Sequence, residues 1–271
     1  MLAVPENKID LLKLSYYGRH MSVEPKFYEN LHGDETYGSA NFRVDHLIAS
    51  GAFGAWRRNG GNRPLRVLDV GCGKGRFLVD LTAQLKSSGA SIARIAAVDL
   101  VRATPNFHSQ LSPQLEFVQQ SVDGMPLPFP DASFDLVSCN HVLEHVFKTE
   151  ALVREFRRVL APAGFCVIGV PNIAAWMNRI AFLFGGQPLG SEVGAEATTY
   201  GFWPTFLQPR LKAFVPSGHI RDFTPGSLRD LSCACGFKHV GWWAQNGGAI
   251  GRLNPKLVRD LAILLAPAIR Q

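Results

Sequence analysis

Long apolar runs are missing from this 271-residue chain. No stretch approaches the ~20 consecutive apolar residues that a membrane-spanning helix needs, which excludes a helical membrane protein. The opening residues, MLAVPENKIDLLKLSYYG, are charged throughout and lack the apolar core of a secretion signal. Cysteine is scarce and odd in number: Cys72, Cys139, Cys166, Cys233 and Cys235. That excludes a disulfide framework and fits a reducing compartment, so a soluble cytoplasmic protein is expected. Cys139 and Cys166 lie in apolar strand-like runs and read as small core residues. Cys233 and Cys235 have no second ligand pair at zinc spacing. The net charge is +6, yet the basic residues do not gather beyond Arg57–Arg58 and Arg154, Arg157 and Arg158. Without a basic stripe interleaved with aromatics, no nucleic-acid partner is expected; an anionic substrate or membrane surface stays open. Repeats and low-complexity tracts are absent as well.

What is present is a regular alternation. The length allows one large domain, or a domain with a cap. Residues 1–62 mix helix and loop, with Phe42, Leu47, Ile48 and Phe53 at loosely helical spacing, and are expected to cover the cofactor site. The run RRNGGNRP then breaks the chain. From residue 63 to 171, LRVLDV, ARIAAVDL, QLEFVQQ, FDLVSCN and GFCVIGVPN read as buried strands. GRFLVDLTAQLK and EALVREFRRVL read as helices, the second closed by Ala161-Pro162-Ala163-Gly164. Strand and helix in alternation predict a Rossmann-like, doubly wound α/β fold, mostly parallel, with helices on both faces. Residues 172–218 interrupt the pattern with AAWMNRIAFLF and a Gly-, Pro- and aromatic-rich stretch, and are expected to form an inserted cap. Residues 219–271 complete the core: a helix capped by Thr224 with Pro225 in its first turn and Gly236 at its end, the strand KHVGWW, and a terminal helix over NPKLVRDLAILLAPAIRQ.

Three glycines stand in five positions of VLDVGCGKGRF: Gly71, Gly73 and Gly75. A P-loop needs G-x-x-x-x-G-K-[ST], and no Ser or Thr is placed here for magnesium. The dinucleotide fingerprint needs a third glycine where Arg76 stands. The remaining pattern, D-x-G-x-G-x-G beginning at Asp69, suits a nucleoside carrying a zwitterionic amino acid. Asp69 can hold an ammonium, and the helix start suits a carboxylate. Asp99 ends the second strand, where a carboxylate can accept from both ribose hydroxyls. Asp123 follows the third, where it can accept from an adenine amine or serve only as a turn residue before Gly124.

The segments VLDVGCGKGRF, AAVDL, VDGMPLPFPDASFDLVSCNHVLEHV and RRVLAPAGFCVIGVPN, in this order, resemble the successive motifs of class I S-adenosylmethionine-dependent methyltransferases. The likeness is closest to the branch with ubiquinone-biosynthesis and small-molecule enzymes. It spans about Leu65 to Asn172 and resumes in GHIRDFTPGSLRDLSCACGF. It implies S-adenosylmethionine held by Asp69, Gly71, Gly73, Asp99, Leu100 and Asp123, with Cys72, Gly75, Val122 and Asn140 in the same site. Two departures stand out. Pro162-Ala163-Gly164 replaces the usual Pro-Gly-Gly. The usual antiparallel last strand is hard to find: either GAIGRL is a poor strand or the last strand is absent.

In NHVLEHV, His141, Glu144 and His145 have the i, i+3, i+4 spacing of one helical face. His219 brings the chain back from the cap, and is expected to face the methyl group from the side opposite His145. Either histidine can act as general base for a hydroxyl. Alternatively Glu144, His145 and His219 bind a divalent metal. That stretch resembles the E-x-x-E-H signature of small-RNA and ubiquinone-pathway O-methyltransferases, with His141 in place of the first glutamate. A third reading has His145 lining the cofactor pocket and His219 bonding a carbonyl. The cap aromatics in TTYGFWPTF suit a ring or sugar wall. The stretches WMNRIAFLF and KLVRDLAILLAPAIR combine apolar and basic residues, so core packing, dimer contact or peripheral membrane contact all remain open, as does the oligomeric state. The expected function is O-methylation of a small-molecule or glycan-type hydroxyl. The alternatives are N-methylation and a non-catalytic S-adenosylmethionine-binding partner of the same fold.

Overall fold

The protein is described from a computed structural model covering residues 46–101, 111, 115–188, 190–194, 200–204, 217–245 and 248–268, with the backbone alone for 46–50. Helix α1 (His46–Arg58) precedes strand β1 (Leu65–Val70), helix α2 (Arg76–Ser87) and strands β2 (Ile92–Asp99), β3 (Leu115–Gln119) and β4 (Phe134–Asn140). Helix α3 (Thr149–Val159), β5 (Leu160–Pro171), α4 (Trp176–Leu183), α5 (Pro225–Ala234), β6 (Phe237–Ala244), α6 (Gly248–Leu253) and β7 (Asp260–Pro267) follow. Residues 1–45 of the expected N-terminal cover, Phe42 among them, lie outside the described residues, as do 189, 195–199 and 205–216 of the expected cap; the remaining part of that cover, from residue 46, includes helix α1. Among the described residues, no helix is long and apolar enough to cross a membrane.

The strands form one sheet in the order β3-β2-β1-β4-β5-β7-β6. All neighbours pair parallel except those of β7, which runs antiparallel to β5 and β6. Strand β1 shows why its residues read as an unbroken apolar run. Leu68 and Val70 feed the core under α3 and α5, with Phe156 and Leu228. Leu65 and Val67 feed the opposite core under α1 and α2, with Trp56, Leu78 and Leu81. Both faces are covered, so no polar face survives in the sequence. At its amino end the sheet is pinned by Asp135 of β4, which accepts from Arg63 and Arg66. At the other end, β1 pairs with β2 on one side and β4 on the other. Successive crossovers leave in opposite directions and open a crevice at the carboxyl ends of β1 and β4.

Three expectations fail, each for a physical reason. The run NPKLVRDLAILLAPAIRQ does not form a terminal helix: Asp260–Pro267 is β7, buried at every position. A strand between two others and covered on both faces loses the period-2 signal and cannot be told from a buried helix by pattern. Asp260–Pro267 therefore offers no membrane or dimer surface. GAIGRL is helix α6, and the antiparallel strand sought there is β7. Finally, no helix begins at NHVLEHV. The N–H of His141 donates to Gly169 at 2.9 Å and so extends the β4–β5 ladder by one residue. His141 then turns left-handed with φ 54°, a conformation incompatible with a right-handed helix. Leu143–His145 is a single 3₁₀ turn. The helical reading of EALVREFRRVL holds, but α3 ends at Val159, and Ala161 to Gly164 belong to β5.

Helix α5 forms as its sequence predicts. Thr224 Oγ1 accepts from Ser227 N–H at 3.1 Å, Ser227 Oγ accepts from Thr224 N–H at 2.9 Å, and Pro225 follows the cap.

Candidate active site

The glycine loop leaves β1 and starts α2. Gly71, Gly73 and Gly75 all have positive φ, at 74°, 51° and 78°. The need is sharpest at Gly71, where a Cβ would stand 2.1 Å from Val142 Cγ2. The loop after β4 therefore presses directly on the loop after β1, and only glycine leaves room. Gly73 N–H donates to Asp99 Oδ2 at 2.7 Å, and Val101 N–H donates to Asp99 Oδ1 at 2.8 Å. The end of β2 is thus tied to the glycine loop, with Leu100 between.

Asp69 is almost fully buried and accepts from Ser138 Oγ at 2.7 Å. Burial pushes its carboxyl up to about 7; the Ser138 hydrogen bond opposes this and the Asp99 charge adds to it. Such a group gains from a cationic partner. Burial likewise holds the Cys72 thiol neutral, far above its ordinary range. Two buried carboxylates and a loop that only glycine can form fit a ligand carrying an ammonium, a carboxylate and a ribose. Asp123 has a structural task as well: its carboxylate accepts from Phe147 N–H at 3.1 Å and Lys148 N–H at 3.0 Å. It thereby holds the turn that leads into α3. Val122 packs against the core nearby. Asn140, at the end of β4, accepts from Gln245 Nε2.

The second half of the site surrounds Glu144, which is 1% exposed. Neither of its carboxylate oxygens has a hydrogen-bond partner among the described residues. His141 Nδ1 lies 3.2 Å from Oε1 in an ion-pair contact, while His141 Nε2 lies 3.2 Å from Gln245 Oε1. Burial works against charge on His141, but Glu144 outweighs it and raises the imidazole above its ordinary value. For Glu144 the balance is similar: burial opposes ionisation, and His141, then His145 and His219, pull the carboxyl below its ordinary value.

His145 and His219 stand side by side, ring centroids 4.9 Å apart. They do not face the crevice from opposite sides, because the 3₁₀ turn and the returning chain lie against each other. Ile220 and Arg221 donate their N–H groups to the Glu144 carbonyl at 2.8 and 3.1 Å. His145 Nδ1 lies 3.1 Å from the Gly218 carbonyl, and His219 Nδ1 lies 3.1 Å from the Gly190 carbonyl. A carbonyl cannot donate, so each Nδ1 carries a proton, and the Nε2 of either ring, when the ring is neutral, is the acceptor nitrogen. Desolvation, the largest influence, keeps His145 below its ordinary imidazole value despite the attraction of Glu144. Glu144, His145 and His219 each offer a ligand atom, all within 4.8 Å of one another. The sequence offered this trio as a metal set and put His141, Glu144 and His145 on one helical face; the structure assembles the trio through a 3₁₀ turn and a distant loop.

Ser138, Gln245, Gly218 and Glu192 were not foreseen. A serine inside the apolar run FDLVSCN was a usable signal for a buried polar partner. For the others no local pattern exists, since Gln245 and Gly218 reach the site from more than 70 residues away.

Residues 68–168 match a family model described as a methyltransferase domain. The chain carries a class I S-adenosylmethionine-dependent methyltransferase domain. That span holds the glycine loop, Asp99, Asp123 and the 3₁₀ turn, and S-adenosylmethionine is the cofactor of this class. The domain is 32% identical over 147 residues to a ubiquinone biosynthesis O-methyltransferase of Xanthomonas campestris, covering 53% of this chain and 57% of that one. It is 33% identical over 134 residues to a sterol 24-C-methyltransferase of Gibberella zeae, covering 48% of this chain and 32% of that one. The chain therefore spans about half the length, or less, of the curated relatives it matches. The fold is shared with the 1,6-didemethyltoxoflavin-N1-methyltransferase of Burkholderia thailandensis, solved with S-adenosylhomocysteine. That match has a TM-score of 0.55 at 18% identity and covers 99% of this chain and 94% of the other.

Proposed function

We propose that this protein methylates a hydroxyl of an apolar small molecule, with S-adenosylmethionine supplying an activated methyl group. In this reading Gly71, Cys72, Gly73 and Gly75 shape the cofactor loop, and Asp69 meets the ammonium. Asp99 accepts from the ribose with Leu100 beside it, and Val122, Asp123 and Asn140 border the base and the methyl end. The single observation that carries the choice of oxygen is the cluster of proton acceptors. The His145 and His219 rings and the buried Glu144 carboxylate, which has His141 Nδ1 in ion-pair contact at 3.2 Å, bring their ligand atoms within 4.8 Å of one another. His145, held neutral by burial, accepts the hydroxyl proton at Nε2; Glu144 stabilises the imidazolium that results, and His219 lies beside it. A phenolic hydroxyl, with a pKa of about 10, is far closer to an imidazole of about 6.5 than an alkyl alcohol is. The acceptor is accordingly a ring hydroxyl.

An apolar acceptor is supported by α4. Its buried positions are Asn178 and Ala181, whereas Trp176, Met177, Ile180, Phe182 and Leu183 are exposed. This reversal gives the protein an apolar face a few residues beyond the end of β5, suited to a lipid-soluble acceptor or to peripheral membrane contact.

The Glu144 oxygens, without a hydrogen-bond partner among the described residues, also favour a second reading, a divalent cation held by Glu144, His145 and His219. Tetrahedral zinc with bonds of about 2.0 Å needs ligand atoms roughly 3.3 Å apart, so the cluster would have to contract. The test is the His145→Gln variant beside a chelated wild type. The base reading predicts a turnover loss of about 10²–10⁴ with cofactor affinity unchanged, and no effect of chelator. A chelator that abolishes activity, restored by added metal, selects the cation. Full activity in the variant removes both roles.

A further inference from the structure

The carboxylate of Glu192 has no part in the chemistry above, yet it is nearly buried and strongly engaged. Three consecutive backbone N–H groups converge on it. Ser217 donates to Oε1 at 2.6 Å, and Gly218 and His219 donate to Oε2 at 2.8 and 3.2 Å. Successive N–H groups that point to one side form an anion-binding nest. Here the chain's own carboxylate fills it.

Those three residues hold both active-site imidazoles. The Gly218 carbonyl accepts from the Nδ1–H of His145, and Gly218 has φ 78°, a left-handed conformation that favours glycine. His219 belongs to the nest itself, and its Nδ1 bonds the Gly190 carbonyl, two residues before Glu192. One short segment, residues 190–192, therefore reaches both rings: one through its Gly190 carbonyl, the other through Glu192 and Gly218. Among the described residues, the titratable side chains facing His219 are Glu144, with Oε1 4.0 Å from Nε2, Glu192, with Oε1 3.9 Å from Nδ1, and the His145 ring.

We infer that Glu192 is a positioning residue: by closing the nest of Ser217, Gly218 and His219 it fixes the Nδ1–H tautomers of His145 and His219 and holds the two rings side by side next to Glu144. This rests on the proposed proton-accepting role of the two histidines. A glutamine at this position keeps one acceptor oxygen but turns the other into an NH₂ that opposes the nest donors. The loop then loses its anchor while the cofactor loop, on the far side of Val142, keeps its contacts.

The test compares Glu192→Gln with wild type by nitrogen-15 NMR of the imidazoles, by turnover and by S-adenosylhomocysteine affinity. His145 and His219 signals are assigned through their own Gln variants. The wild type should show both rings as single Nδ1–H tautomers. The variant should show averaged tautomers, a kcat lower by about ten- to a hundredfold, as expected of catalytic groups displaced by a fraction of an ångström to 1 Å, and an affinity within twofold. Wild-type rings that are averaged, or protonated at Nε2, overturn the proposal without any variant, so a Glu192→Gln chain that does not fold still leaves it falsifiable. Fixed tautomers and unchanged kcat in the variant overturn it too. Should His145→Gln and His219→Gln both retain full activity, the base reading fails, while the tautomer comparison still decides what Glu192 does.

Discussion

Asp69→Asn should make the ligand-free protein more stable at neutral pH while making it a poorer binder. The side chain is 2% exposed and its pKa rises from 3.8 to about 7 on folding, with burial the main cause. An acid whose folded pKa is raised stabilises the fold when protonated. Its favourable balance is complete below the unfolded value, near pH 4, and is lost as pH climbs to the folded value, near 7. A shift of about three units corresponds to roughly 4 kcal/mol. Asparagine keeps the shape and can still accept from Ser138, yet never ionises. The variant should match wild type near pH 3.5, gain about 1.5 kcal/mol at pH 5 and approach 4 kcal/mol at pH 8. Urea unfolding at these three values measures it directly; for a chain of this size the gain at pH 8 corresponds to about 8 °C in Tm. In the same variant S-adenosylhomocysteine should bind at least tenfold more weakly, because the ammonium loses its counter-charge. Equal stability at pH 8 would show that the Asp69 carboxylate bears no desolvation cost in the folded chain, and the reasoning would fail.

Other outcomes follow from the same geometry. Asp99→Ala, which also frees the Gly73 and Val101 N–H groups, should weaken cofactor binding by about 1.5–3 kcal/mol in calorimetry; unchanged affinity would take Asp99 out of the ribose role. Gly71→Ala should cost about 2–4 kcal/mol from its positive φ and from the clash with Val142, and adding Val142→Ala should recover part of that in denaturant unfolding; no recovery would mean the two loops do not press on each other. Replacing Phe182 and Leu183 by glutamate should abolish co-sedimentation with anionic vesicles and leave cofactor binding intact, if α4 meets a membrane; wild-type protein that stays in the supernatant would confine the apolar face to the acceptor.

The cofactor half of this site was legible in the sequence because it rests on local sterics. A chain cannot pass Val142 at Gly71 with any side chain, so the glycine spacing is a direct imprint of the fold. The parallel strands were legible for a similar reason, since burial on both faces leaves apolar runs bounded by turns. The same burial hid β7: eight buried residues of Leu, Ile, Ala, Asp and Pro carry no period that separates strand from helix. The turn at His141 was hidden because its cause is a ladder bond to Gly169 on another strand, and the caps on Phe147 and Lys148 come from Asp123. Glu192 and Gln245 were invisible because a buried hydrogen-bond network is a property of loops meeting in space.

The most direct measurement is isotope transfer. The 271-residue chain is incubated with S-adenosylmethionine labelled on the methyl carbon and a panel of hydroxylated aromatic acceptors, and products are read by mass and by carbon-13 NMR. The account predicts labelled methyl on a ring oxygen, formed by wild type and lowered about 10²–10⁴-fold in His145→Gln. Label on nitrogen or carbon, or an undiminished rate in His145→Gln, would contradict it.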